Sequence, residues 1–138
     1  MIWTHECYTI CDDRSSINVD AVFELLNACH WAKHRSVQTI ALTIENSLCF
    51  GLFAEDIQIG FARVLTDYAT YAVILDMIVK ERYRGKGLGK WLMNVITCHP
   101  SIQTIRQILW TSNASAFYAQ FGFSQVQDKP LVLVKPPF

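Results

Sequence analysis

The chain has 138 residues, 51% of them hydrophobic, and its 12 basic side chains balance its 12 acidic ones, so the formal net charge is zero. That length suits one domain burying about two-thirds of its extended surface, and the balanced charge argues against a general nucleic-acid binder, which needs a basic face. No apolar run reaches membrane-spanning length, the opening MIWTHECYTICDD lacks the basic-then-apolar layout of a secretory leader, and the five scattered cysteines form no C-x-x-C, so the expectation is a cytoplasmic protein with reduced thiols.

Taken in order, Glu6 to Cys11 reads as a first strand ended by Asp12-Asp13. Ser15, Ser16 and Asn18 are cap candidates for a helix whose Val19, Val22, Phe23, Leu26 and Cys29 share one face. The segment His30-Trp31-Ala32-Lys33-His34-Arg35 breaks or extends that helix, and Ser36 then caps a second one with Val37, Ile40, Ala41 and Ile44 inward. Leu48–Ala54, Ile57–Thr66 and Tyr71–Val79 read as three strands joined by the turns at Glu55-Asp56 and Asp67-Tyr68-Ala69-Thr70, an antiparallel meander. After the loop Lys80–Gly89, Leu88, Trp91, Leu92, Val95 and Ile96 recur at helical spacing and Pro100 closes the run. Thr104–Thr111 is a further strand, parallel to Tyr71–Val79 because a helix connects them. Asn113 can cap a short helix, Ala114 to Phe121, stopped by Gly122. Phe123–Val126 and Leu131–Val134 read as a closing hairpin around Asp128-Lys129-Pro130. The order β-α-α-β-β-β-α-β-α-β-β is α+β: a mixed, mostly antiparallel sheet with helices on its faces, and residues 1–138 form one domain without repeats.

The chemistry concentrates where the third meander strand meets the next helix. Arg84-Gly85-Lys86-Gly87-Leu88-Gly89 sits at a helix start, where unpaired backbone N–H groups and the positive end of the helix dipole face outward. Glycines let those amides approach a ligand closely, and Arg84, Lys86 and Lys90 add charge, so the stretch reads as a phosphate or pyrophosphate cradle. A Walker A loop needs Ser or Thr after its Lys, but Trp91 follows Lys90; a dinucleotide-binding fingerprint needs glycine at position 90. What fits is Arg-x-x-Gly-x-Gly, met by Arg84, Gly87 and Gly89.

With that pattern and this element order the chain resembles the GNAT superfamily of N-acetyltransferases, whose acetyl-CoA pyrophosphate loop reads Gln/Arg-x-x-Gly-x-Gly/Ala. The resemblance covers nearly the whole chain, and Asn46–Gly51, Gly60–Val64 and Thr66–Thr70 look like a compact bacterial subgroup. It implies that the strands before the loop and after the helix splay apart, that pantetheine enters the gap along Met77, Ile78 and Val79, and that the Met77 N–H meets the acetyl carbonyl as an oxyanion donor. The amides from Arg84 through Lys90, with Gly85, Lys86 and Leu88 between, would hold the diphosphate. Asn113-x-x-Ala116-x-Tyr118 ahead of Phe121-Gly122-Phe123 resembles the family's Asn-x-x-Ala…Tyr…Gly-Phe region, which implies that Tyr118 protonates the departing CoA thiolate and that Asn113 bonds pantetheine or caps its helix. The subgroup usually carries an acid followed by Ala-His here; this chain has Ser112-Asn113-Ala114-Ser115, so the acceptor's identity does not transfer.

Acetyl transfer also needs the acceptor ammonium to lose a proton. The candidates are Asp76, Asp67, His30, His34 or ordered water. Asp76 is the lone charge in an apolar strand, where burial would raise its pKa toward a working base; bonding to backbone or to Arg63 is the competing reading. His30 and His34 stand i, i+4 without a third ligand, so no metal is expected. The acceptor pocket is placed at Trp31, Arg35, Phe61, Arg63, Asp67, Tyr68 and Tyr71, a mix that suits a small amine carrying a carboxylate. The expectation is direct acetyl transfer from acetyl-CoA to a small-molecule or peptide amine in a ternary complex, with a homodimer left open and no nucleic-acid or membrane partner; a non-catalytic acyl-CoA sensor is the alternative.

Overall fold

The computed structural model describes residues 1–29, 31–32, 34–127 and 131–137. Among these residues six strands lie in sequence order: β1 (Ile2–His5), β2 (Tyr8–Cys11), β3 (Leu48–Ala54), β4 (Ile57–Thr66), β5 (Tyr71–Val79) and β6 (Arg106–Ile108). Every neighbouring pair from β1 to β5 is antiparallel, and β6 joins β5 in parallel. The helices are α1 (Val19–Asn27), α2 (Val37–Glu45), α3 (Leu88–Thr97) and α4 (Ser115–Ala119). The first two begin as their caps dictate: Asn18 Oδ1 accepts from the Ala21 N–H at 3.0 Å and Ser36 Oγ from the Thr39 N–H at 3.1 Å.

Strand alternation sends residues to two cores. Phe50, Leu52, Ala62, Val64, Ala72 and Ile74 face α3, packing on Leu88, Leu92, Met93 and Ile96. Cys49, Phe61 and Ile78 face the opposite layer, packing with Val22, Leu26, Ile40 and Ile44 of α1 and α2. His99, just past α3, is buried and ties the first strands to this framework. Its Nδ1 accepts from the Ser101 N–H at 3.2 Å, and its Nε2 lies 2.8 Å from Asp12 Oδ2, with Trp3 and Phe50 beside the ring. Burial raises the Asp12 pKa, but its bonds from the chain's amino group and from His99 outweigh that and leave it below the usual value.

Four expectations need correction. The opening segment is a hairpin rather than one strand from Glu6: Glu6 and Cys7 form the turn, with Glu6 at φ 53°, and Ile2–His5 adds an edge strand. The strand expected over Thr104–Thr111 contracts to Arg106–Ile108, because Thr104 and Ile105 still belong to the turn leaving α3 and the chain leaves the sheet after Ile108. Asn113 does not cap α4; Ala114 holds the cap position without a side-chain bond, and its N–H instead donates to Thr111 Oγ1 at 3.0 Å. The closing hairpin is not formed: neither 123–127 nor 131–137 is a strand, and Leu131–Val134 is exposed. Its expected turn, Asp128-Lys129-Pro130, lies outside the described residues, as do His30 and Lys33 of the expected break; α1 itself stops at Asn27.

Candidate active site

The site starts at the end of β5. A single 3₁₀ turn, Glu81–Tyr83, follows it, and Arg84 Nε reaches back to donate to the Val79 carbonyl at 2.9 Å, pinning the loop to the strand. Gly85 and Gly87 then adopt φ +79° and +78°, a left-handed conformation that penalises any side chain. A Cβ built on either would meet nothing within 4 Å, so the loop's outer face is open. Gly87 is the N-cap of α3, with no side-chain cap and no acid in the first turn. The helix's first backbone bond runs from the Trp91 N–H to the Gly87 carbonyl, so the amides before it point out of the helix end. Lys86 and Lys90 are exposed beside it, while the Leu88 side chain is buried and leaves only its backbone at the loop. Exposed amides, a dipole end and two lysines fit a diphosphate.

One turn of strand earlier, β5 breaks its pairing. Phe61 stands opposite Ile78 but Arg63 stands opposite Leu75, so Asp76 and Met77 together oppose Ala62. This β-bulge changes which face of the sheet each following residue meets: Ile74 packs toward α3, whereas Ile78 packs toward α1 and α2. Asp76 sits at φ 54°, a strained position costing about 1–2 kcal/mol for a residue with a Cβ. Two arginines hold it there. Arg35 Nη1 and Arg63 Nε each donate to Asp76 Oδ2 at 2.6 Å, and the carboxylate side chain is only 3% exposed. The competing reading of Asp76, a carboxylate bonded to Arg63, describes this geometry; Arg35, 41 residues away in sequence, is the partner that local reasoning did not reach.

On its far side β5 pairs with β6 only through Tyr71–Arg106, Ala72–Gln107 and Val73–Ile108. Beyond Val73 the two strands part, and the gap becomes a cleft of about 480 Å³. Ile74, Leu75, Asp76 and Met77 form one wall, and Leu109 through Ala114 with Tyr118 form the other; Trp31 and Arg35 approach from the connection between α1 and α2. Tyr118 is half-buried, stacked edge-on to Phe117 (ring centroids 5.0 Å), and burial pushes its phenol above the ordinary tyrosine pKa, so it is protonated at neutral pH.

The cleft therefore gathers Trp31, Arg35, Asp76, Met77, Asn113 and Tyr118, with Arg63 behind Asp76. It does not gather Phe61, Asp67, Tyr68 or Tyr71. Phe61 is buried in the core under α1 and α2. Asp67 caps its own turn, accepting from the Thr70 hydroxyl and the N–H groups of Ala69, Thr70 and Tyr71; the Thr70 hydroxyl, then those amides, hold its pKa well below the carboxylate range. Tyr71 accepts a bond from Arg106 Nη1 at 3.3 Å at the paired end of β5, and Tyr68 is exposed in the turn before it. Ala116 is exposed on α4 outside the cleft lining, and so is His34 on the α1–α2 connection. His30 lies outside the described residues. Among the described residues no three His, Cys, Asp or Glu side chains gather as a metal site, and no helix is long and apolar enough to cross a membrane. Trp110 and Thr111, expected in the strand Thr104–Thr111, and Ser112 instead stand on the cleft wall; the run Leu109-Trp110-Thr111-Ser112 carries no signal for that place.

Residues 45–125 match the family model described as an acetyltransferase (GNAT) domain. A crystal structure of a Xanthomonas campestris protein assigned to the GNAT family of acetyltransferases superposes with a TM-score of 0.86 at 33% identity, covering 95% of this chain and 96% of that one. Glucosamine-6-phosphate N-acetyltransferase from Arabidopsis thaliana shares the fold alone, at TM-score 0.67 and 18% identity, over 96% of this chain and 100% of that one. Among curated relatives, an uncharacterised N-acetyltransferase of Gracilaria tenuistipitata var. liui is 29% identical over 79% of this chain and 63% of its own length. An acetyltransferase-named protein of Gibberella zeae is 24% identical over 68% of this chain and 64% of its own, so the chain spans just under two-thirds of both relatives.

Proposed function

The chain belongs to the GNAT acetyltransferase family, and from that premise we propose that it is an acetyl-CoA-dependent N-acetyltransferase working by direct transfer in a ternary complex. One observation carries the reading: a cleft, opened by the parting of β5 and β6, brings the Tyr118 phenol of α4 to the bulge at Asp76-Met77 on the strand that feeds the glycine loop. Acetyl-CoA, when bound, supplies a thioester whose acyl carbon accepts the amine nitrogen and whose thiol departs.

The residues divide the remaining work. The amides around Gly85, Gly87 and Gly89 at the start of α3 hold the diphosphate, with Lys86 and Lys90 adding charge; Arg84 fixes the loop through its bond to Val79. The unpaired edge of β5 from Met77 to Val79 offers backbone groups to pantetheine, and the Met77 N–H, turned by the bulge, is the donor for carbonyl oxygen. Tyr118 keeps its proton until a sulfur needs it, since burial raises its pKa. Asp76 is a positioning residue: its carboxylate is committed to two guanidinium groups and holds the backbone that presents Met77. Proton loss from the acceptor falls to water in the cleft. Reduced thiols suit a cytoplasmic setting.

The test is thiol release from acetyl-CoA across an amine panel, comparing wild type with Tyr118→Phe. The expected result is turnover on at least one amine and a loss in kcat of about 10²-fold or more in the variant, with CoA affinity retained. Tight CoA binding without turnover on any amine would replace the enzyme by an acyl-CoA sensor.

A further inference from the structure

We infer that the acceptor is a small amine that also bears a carboxylate, and that Arg35 on the α1–α2 connection binds this carboxylate. The inference rests on the acetyl-transfer reading above and names the substrate class of the same cleft.

The charge balance of the cleft points this way. Among the described residues lining it, the ionisable side chains are Arg35, Asp76 and Tyr118. Tyr118 is neutral, its phenol held protonated by burial. Asp76 is shared between Arg35 and Arg63, so the ion cluster at this wall, counting Arg63 behind the strand, carries one net positive charge. An acceptor arriving as a bare ammonium meets that surplus with nothing to offset it. A diamine or a lysine-rich peptide fares worse, because the one carboxylate on the cleft wall is already occupied by two cations. An acceptor that brings its own anion is matched in charge.

The geometry selects Arg35 as the anchor. Its side chain is 29% exposed, against 12% for Arg63 behind the strand. It uses Nη1 for Asp76, and among the described residues no other side chain takes a bond from it. A guanidinium has five N–H donors in a planar fork, so donors remain that fit a second carboxylate in two-point fashion. Asp76 in turn fixes the guanidinium plane, so little rotamer entropy is lost when a ligand binds. The cleft's volume, about 480 Å³, falls in the range of small-molecule sites. Its rim carries two indoles, Trp31 and Trp110, 55% and 64% exposed, which suit an acceptor with an apolar or aromatic body.

The experiment measures kcat/KM at saturating acetyl-CoA for matched sets: aromatic and aliphatic amino acids, their carboxamides, the corresponding amines without the carboxylate, and a diamine. The free acids should exceed their carboxamides and amines by about tenfold or more, through KM. Arg35→Gln should reduce that ratio to within about threefold of unity, and Arg35→Lys should keep part of it. Thermal unfolding of each variant reports folding; should Arg35→Gln not fold, the wild-type ratio and Arg35→Lys decide. Acids no better than carboxamides in wild type, a preference for the diamine, or an acid advantage untouched by Arg35→Gln would overturn the assignment while leaving acetyl transfer standing. Acetyl-CoA binding with no amine turned over would instead remove acetyl transfer, and this inference with it.

Discussion

Two places near the end of β5 hold the backbone in a left-handed conformation, and they do so by opposite means. At the loop, Gly85 and Gly87 adopt positive φ because they have no Cβ to clash, and nothing in the surrounding protein is needed to keep them there. At the bulge, Asp76 adopts φ 54° against its own side chain, and it is the one non-glycine residue with positive φ lying inside a strand among those described; the others, Glu6, Glu55 and Tyr68, sit in turns. What holds Asp76 is tertiary: Arg63 from the neighbouring strand β4 and Arg35 from a connection between helices. The first device is written in residue type and is local. The second is written in contacts between distant residues, and it couples the α1–α2 connection to the backbone at the bulge.

The comparison breaks most severely at Gly87. Gly87→Glu adds a Cβ at φ +78° and an anion at the proposed diphosphate seat, so CoA affinity measured by calorimetry should fall at least about 10²-fold while the circular dichroism spectrum stays native, since a Cβ there meets no protein atom. Unchanged affinity would take the loop out of the site. Asp76 should give the intermediate effect and a different pattern. Asp76→Ala leaves two arginines facing each other around an empty place and should lower unfolding stability in denaturant by about 3 kcal/mol, with activity lost as the bulge relaxes. Asp76→Asn keeps a side chain that tolerates left-handed backbone and should be the milder of the two; equal losses would mean that charge alone, and not conformation, fixes the bulge. Gly89 should give the smallest effect. It belongs to the same motif but has no positive φ, and an added Cβ would touch only Met77 Cε at 3.6 Å and Phe117 Cζ at 3.9 Å, ordinary contacts. Gly89→Ala should leave the melting temperature equal or slightly higher, because alanine favours helix, with no more than a few-fold rise in KM for acetyl-CoA.

The same contrast explains what the sequence did and did not disclose. Helical periodicity and side-chain caps at Asn18 and Ser36 mark α1 and α2, and apolar alternation marks β3, β4 and β5, because each is a local pattern. The glycine loop is legible for the same reason, although the motif does not say which of its glycines needs the left-handed conformation. The bulge is not legible: Tyr71–Val79 looks like an uninterrupted buried strand, and only the register against β4 shows the extra residue. Of the residues expected to line an acceptor pocket, only some meet in the cleft. Trp31 and Arg35 line the cleft, but Asp67, Tyr68 and Tyr71 form a hairpin turn at the opposite end of β5, a distance that linear order cannot convey. Among the described residues Leu131–Val134 carries strand propensity without a partner strand, and Trp110, which the pattern places in the strand Thr104–Thr111, lines the cleft from the loop after Ile108.

Only three residue pairs fasten β6 to β5, and the chain that follows, Leu109 to Ala114, runs largely exposed to α4. The seam is short enough to unzip while the long ladders of β3, β4 and β5 stay closed, so a protease meets its first accessible bond there rather than in the meander. Half of the cleft wall thus lies on a piece that thermolysin, which cuts before apolar residues such as Leu109, would sever before it opened the meander.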